Sequence, residues 1–146
     1  MKLSAAYTVA APRERVFTSI TDPVVLQRCI DGCEKMVKTA EGNYDAHLKI
    51  GVAGLKGNYI GKVQLRDLKA PESYTLIMEG KGAPGFVKGT SAIALRADGV
   101  TTAVDVTGTV QTGGPIARLG QRLVGGVAKM MLDRFFACLQ AKLTTF

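Results

Sequence analysis

Hydrophobic and polar positions along the chain follow two different periods, and the changes of period divide it into elements. The opening LSAAYTVA has the composition of a strand around Tyr7 and Val9. In APRERVFTSI the apolar Val16, Phe17 and Ile20 fall on one side of a short helix, with Pro12 suited to its first turn. Thr21-Asp22-Pro23 stops that helix and starts a second one over PVVLQRCI. There Asp22 can cap and Pro23 takes the first position, and Asp31-Gly32 ends the run.

Beyond this point the period drops from 3.6 to 2. In YDAHLKIGV, Tyr44, Ala46, Leu48, Ile50 and Val52 alternate with Asp45, His47 and Lys49. GNYIGKVQLRDL sets Tyr59, Val63 and Leu65 against Lys62, Gln64 and Arg66. SYTLIME, FVKGTSAIALRA and TTAVDVTGTV follow, with turn residues between them. Short strands at close intervals with no helix between them predict an antiparallel meander, not a doubly wound parallel sheet.

Helical spacing returns at the end. From Pro115 to about Leu143 an apolar stripe runs through Ile116, Leu119, Leu123, Val127, Met130, Met131 and Phe135. Arg118, Arg122, Lys129 and Asp133 occupy the other face. Such a helix would be about 40 Å long, enough to cross a sheet. Gly120, Gly125 and Gly126 within it permit close approach, room beneath the helix, or a kink. The expected order is β-α-α, six more strands, then α. This is an α+β fold of about seven strands, with two short helices after strand one and a long C-terminal helix across the concave face. The whole of 1–146 reads as one domain. A curved sheet gripping one helix leaves an apolar gap between them.

Composition narrows the function. Net charge is +7 from nineteen basic and twelve acidic residues. The basic residues are scattered and tryptophan is absent, which argues against nucleic acid and leaves an anionic membrane or an acidic partner. No apolar run approaches the ~20 residues of a membrane span, and the N-terminus lacks a signal-peptide core, so a cytoplasmic location is expected. Cys29, Cys33 and Cys138 are too few and too irregular for a disulfide framework and are expected as reduced thiols. With His47 the sole histidine, no metal site is expected.

Catalytic candidates are weak. His47 is expected on an outward strand face, with nothing to pair it with a nucleophile. Asp105 and Glu79 could serve an enzyme only by turning inward, beside Tyr44 or Tyr59. The stretch GKGAPGFVKG, residues 80–89, carries four glycines between two strands. No helix follows to hold a phosphate, so it reads as a connection overhanging a cavity mouth, with Gly82, Pro84, Gly85 and Phe86 at the opening. The expected cavity is lined on the sheet by Tyr44, Leu48, Tyr59, Leu76, Met78 and Val106, and at the mouth by Phe86. The helix adds Leu119, Leu123, Val127, Met130 and Met131. Lys81, Lys88, Arg118, Arg122 and Lys129 form a candidate basic contact surface.

Five stretches together carry a family resemblance: MKLSAAYTVAAPRERVF, TDPVVLQRCIDGCE, KIGVAGLKGNYIGKVQLRDLKAPESYTL, GKGAPGFVKGT and GGPIARLGQRLVGG. The chain resembles the carbon monoxide dehydrogenase CoxG family, within the START-like SRPBCC superfamily of Bet v 1-like, helix-grip folds. The resemblance implies a non-catalytic accessory protein serving a molybdenum-containing hydroxylase of the CO dehydrogenase type. It implies a lipophilic ligand such as a quinone, no resident cofactor, and a peripheral place at the inner face of the cytoplasmic membrane. START-like folds also host cyclases, hydrolases and dehydratases, which is the enzyme alternative. A third reading is a ligand-free adaptor that binds its partner through the basic helix face.

Overall fold

The computed structural model describes residues 1–52 and 54–143. Strand β1 (Lys2–Val9) leads into α1 (Arg13–Ile20) and α2 (Pro23–Cys29). Six strands follow: β2 (Cys33–Ala40), β3 (Asn43–Ile50), β4 (Gly57–Lys69), β5 (Ser73–Gly82), β6 (Gly85–Asp98) and β7 (Thr101–Gly113). A 3-10 turn (Gly114–Leu119) and helix α3 (Gln121–Leu143) complete the described chain. The seven strands form one antiparallel sheet in the order β1-β7-β6-β5-β4-β3-β2. Thus α1 and α2 carry the chain from one sheet edge to the other. Asp22 caps α2 as its position suggested, its carboxylate accepting from Val24 N at 2.9 Å.

Register fixes which side chains face α3. The inner face carries Tyr44, Ala46 and Leu48 on β3, and Tyr59, Gly61, Val63 and Leu65 on β4. On β5 it carries Tyr74, Leu76, Met78 and Gly80, and on β6 Val87, Gly89, Ser91, Ile93 and Leu95. Thr102, Val104, Val106, Gly108 and Val110 complete it on β7. The main core joins this face to α1, α2 and the C-terminal half of α3 through Phe17, Ile20, Val25, Phe136 and Leu139. A separate smaller cluster, Leu55, Ile116 and Val127, packs the loop before β4 against the other end of the helix.

Three expectations change. The C-terminal helix is not continuous from Pro115: Gly120, with φ of 84°, separates the 3-10 turn from a 23-residue α3. That break rotates the stripe, so Val124 is buried where Leu123 was expected, and Leu123 is 42% exposed. Second, GKGAPGFVKG is mostly strand, since β5 runs to Gly82 and β6 starts at Gly85. Only Ala83 and Pro84 turn. That tip is held: Ile116 N donates to Pro84 O at 2.9 Å, and a Cβ on Gly57 would lie 2.9 Å from Pro84 Cγ.

Third, Cys29 and Cys138 are not separate thiols. They form a disulfide across a sequence separation of 109, because α2 and α3 pack side by side. Nothing local in the sequence announces that contact. Cys33 is free. More ties hold the same half of α3: Arg134 Nη1 donates to Asp31 Oδ2 at 2.5 Å and Ala10 N donates to Gln140 Oε1 at 2.7 Å.

Closing a loop of roughly 100 residues removes about 4.7 kcal/mol of denatured-state entropy on the chain-entropy model. Thermal melts with and without reductant should therefore differ by several degrees or more in midpoint temperature. A Cys29→Ser variant should melt like the reduced wild type and be insensitive to reductant. Identical melts of wild type in both buffers would contradict the bond.

Candidate ligand cleft

The sheet curves over α3 because several inner-face positions have no side chain. A Cβ on Gly61 would stand 2.5 Å from the carbonyl oxygen of Glu79. One on Gly108 would collide with the carbonyl of Thr90 and with Ser91. Neighbouring strands approach on their concave side only where Cβ is absent.

The helix covers this curved face unequally. Inner-face residues of β4 are buried from Tyr59 through Leu65. Across β5, β6 and β7 the equivalent residues are only half-buried: Leu76, Gly80, Val87, Gly89, Ser91, Gly108 and Val110. Met78 is 36% exposed although it lies on the inner face of a central strand. A Cβ on Gly89 would meet only Thr109 O at 3.5 Å and Val110 Cγ2 at 4.0 Å, and one on Gly80 only Tyr59 Cβ at 3.8 Å. No atom of α3 comes within 4 Å of where either Cβ would stand.

A cleft lies beside this part of the inner face, at the end of β7. Two ladder rows, Met78–Gly89–Val110 and Gly80–Val87–Thr112, lead across the sheet to its β1 edge. Strand β1 begins at Lys2, opposite Thr109, so the last part of β7 has little edge cover beyond Met1. The cleft, of about 470 Å³, opens there between the end of β7 and the start of α3. It is lined by Met1, by Val110, Gln111 and Thr112 of β7, by Phe86, and by Ala117, Gly120, Gln121 and Val124 around the start of α3. The Met1 sulfur lies beside Gly125, 3.5 Å from where a Cβ would be. At the far end of the same edge, the Tyr7 hydroxyl donates to Asp133 Oδ1 at 2.7 Å and the Tyr7 ring stacks on Phe136 at 4.2 Å. Burial, then the hydrogen bond to Asp133 and its charge, push the Tyr7 phenol well above its ordinary range.

The residues singled out in the sequence are distributed as follows. Met78 faces the gap, Leu76 packs against the main core, and Val127 belongs to the smaller cluster, with Leu119 and Met131 packed beside it. Leu48 packs against the main core, while Met130 is half-buried. Tyr44 and Val106 are fully packed core. Tyr59 is buried too, its hydroxyl donating to Leu55 O at 2.7 Å. Phe86 points to the outer face, and its ring lies over Gly113. Lys129 is engaged with Asp133 at 2.6 Å and sits over Tyr7, which removes it from a free basic surface. Lys81, Lys88, Arg118 and Arg122 are exposed.

Sequence reasoning missed Met1, Val110, Thr112, Gln121 and Val124. Alternation through TTAVDVTGTV already puts Val110 in phase with Val104 and Val106. The uncovered sheet edge and the broken helix had no such signal. Asp105 and Glu79 lie on the outer face, Asp105 accepting from Arg96 Nε at 3.3 Å. His47 is exposed on the same outer side. Among the described residues no three His, Cys, Asp or Glu side chains gather to hold a metal, and no helix is long and apolar enough to cross a membrane.

Residues 6–144 match the family model of CoxG, the G component of carbon monoxide dehydrogenase. A conserved protein of Geobacillus kaustophilus superposes with a TM-score of 0.94 at 34% identity, covering 97% of this chain and 94% of that one. A START superfamily protein of Mycobacterium smegmatis gives 0.73 at 15% identity, covering 97% and 95%. Ara h 8.0201 gives 0.72 at 13%, covering 97% and 96%. No curated protein matches the chain. The architecture is thus the helix-grip fold of START-like and Bet v 1-like proteins.

Alanine at Gly61 or Gly108 should cost about 1–3 kcal/mol in urea denaturation, because a backbone carbonyl must move aside. Alanine at Gly89 should stay within about 0.5 kcal/mol of wild type. Equal costs at all three positions would contradict the uneven cover of the inner face.

Proposed function

The chain belongs to the carbon monoxide dehydrogenase CoxG family, and from that premise we propose that it is a non-catalytic accessory protein whose cleft takes up a lipophilic molecule, with a quinone as the favoured ligand class. One observation carries the ligand-binding reading. Met78 faces inward from a central strand under the helix and is nevertheless open to solvent. Apolar surface left exposed inside a fold is stabilised by whatever apolar molecule covers it.

The residues present fit a quinone. The cleft at the β7 edge, about 470 Å³, is of a size that suits a small aromatic ligand, and the half-buried inner face beyond Val110 would extend the surface open to it. The glycines at 80 and 89 leave a floor without side chains, against which a flat ring can rest. Ser91 and Thr112 supply hydroxyl donors on the same inner face for the ring carbonyls, and Val110 and Val124 offer apolar walls to an isoprenoid tail. When bound, a quinone would supply two-electron redox chemistry, taking up two electrons and two protons from a reductant elsewhere and giving them up on reoxidation. The chain's part is to bind, orient and shield.

In the same reading the protein assists a molybdenum-containing hydroxylase of the CO dehydrogenase type at the inner face of the cytoplasmic membrane. The family description supports that partner class. A cytoplasmic location would keep Cys29 and Cys138 largely reduced, leaving Phe136, Leu139 and the Arg134–Asp31 contact to hold the two helices together. The enzyme alternative needed Asp105 or Glu79 in the cavity, and neither points there.

The test is calorimetric titration of a short-chain quinone into wild type and Gly89→Leu, with native mass spectrometry of both as purified. The leucine Cβ would stand at ordinary contact distance, 3.5 Å, from Thr109 O, and the rest of the side chain would occupy the floor of the space. We expect at least a tenfold loss of affinity, roughly 1.4 kcal/mol or more, at an unchanged melting temperature. Equal affinity in both proteins, or no binding to wild type, would overturn the proposal.

A further inference from the structure

All three cysteines of the chain gather at one place in the fold, although 109 positions separate Cys138 from Cys29. Cys29 closes α2, Cys33 opens β2, and Cys138 sits in the C-terminal half of α3. Cys29 is 4% exposed within the main core, and Cys138 packs against the same core. Cys33 stands opposite Leu48 in the β2–β3 ladder, and Leu48 packs against that core too. Opposed residues of an antiparallel pair share a face, so Cys33 lies on the side of the sheet that α2 and α3 cover.

The turn between α2 and β2 brings Cys33 back toward Cys29. Cys33 N donates to Ile30 O at 3.1 Å, and Lys49 N donates to Gly32 O at 2.8 Å. Gly32 has φ of 78°, and a Cβ on it would strike Lys49 O, so the turn is seated tightly on β3. A turn closed in this way holds its ends within about 7 Å. Cys33 is therefore a free thiol within a turn's reach of a disulfide, its Sγ donating weakly to Lys35 O at 3.5 Å. The Cys29 sulfur is sealed inside the core, where a thiol from solution does not reach it and this neighbour does.

We propose that Cys29, Cys33 and Cys138 form a thiol–disulfide exchange site whose substrate is a low-molecular-weight thiol of the glutathione type, with Cys33 as the internal nucleophile. The Cys33 thiolate attacks the Cys29 sulfur, a Cys29–Cys33 bond forms and the Cys29–Cys138 bond breaks. Cys138 leaves as a thiolate and takes up the proton that Cys33 gave up. Two small thiols then reduce the Cys29–Cys33 bond through a mixed disulfide, leaving two protein thiols and one small disulfide. Burial raises the Cys33 thiol above its ordinary value, which keeps the attacking thiolate scarce and the Cys29–Cys138 bond standing at rest. Exchange removes the covalent tie between α2 and α3 and leaves Arg134–Asp31 and the Gln140 contact to Ala10 in place, so the helix is loosened and not released. None of this rests on the ligand or partner reading above.

The experiment is a timed reduction by glutathione, read by peptide mapping. Trypsin cuts after Arg28, Lys35, Arg134 and Lys142, which puts Cys29 and Cys33 in one peptide and Cys138 in another. Protein purified without reductant should yield peptides 29–35 and 135–142 linked, with Cys33 free to alkylate. After glutathione is added, samples are quenched with acid and labelled with a maleimide. Wild type should pass through a species in which 29–35 is closed on itself and 135–142 carries the label. Cys33→Ser and Cys33→Ala should each lose the linked pair at least about fivefold more slowly than wild type. A loosened fold would expose the bond and speed its loss, so slower reduction reports the missing nucleophile and not damage to the structure. Equal rates in wild type and variants would overturn the proposal. So would loss of the linked pair in wild type with no closed 29–35 peptide, or its absence from the outset.

Discussion

Strand backbones come together on the concave side of the sheet at Gly61 and Gly108, where a side-chain carbon would strike a neighbouring carbonyl. The shape of the cleft follows from that close approach. It bends β4 through β7, and α3 crosses this curved face with its C-terminal half more deeply packed than its N-terminal half. The C-terminal half is held against the floor by Phe136, Leu139 and the contacts to α1 and α2. The N-terminal half spans a floor of small residues, and the gap beneath it is the natural result of laying a rod across a curved surface.

The division of α3 into two halves gives the molecule two kinds of interior. Around Val104, Val106 and Leu139 the packing is dense and the sheet is fully covered. Around Met78 and Gly89 it is not, and the smaller cluster of Leu55, Ile116 and Val127 closes the far end. Stability is concentrated in the first region and accessibility in the second. A fold can then keep an open apolar surface without forfeiting its core, because the cost of that surface is confined to one part of the sheet.

Much of this was legible before any coordinates. Alternation in YDAHLKIGV and GNYIGKVQLRDL put Tyr44, Ala46, Tyr59 and Val63 on one face, where they are. Period 3.6 in the last segment revealed the long helix, and the family resemblance extended over most of the chain. What stayed hidden depended on contacts far apart in sequence. Gly120 looked like one glycine in a helix, yet its left-handed conformation breaks the helix and turns the stripe from Leu123 to Val124. The glycines of GKGAPGFVKG suggested a loose loop, whereas Gly82 and Gly85 permit backbone approach to Asn58 and Gly113. Cys29 and Cys138 gave no local sign of pairing, because only the packing of α2 on α3 brings them together.

The central claim is that the space between α3 and the rows through Met78, Gly89 and Val110 is a ligand site and not a packing defect. A crystal structure grown with a short-chain quinone tests it most directly. The account predicts ring density in contact with Gly89 and Met78, under the N-terminal half of α3. Side chains of α3 filling that space, or a quinone found only on the outer face of the sheet, would contradict it.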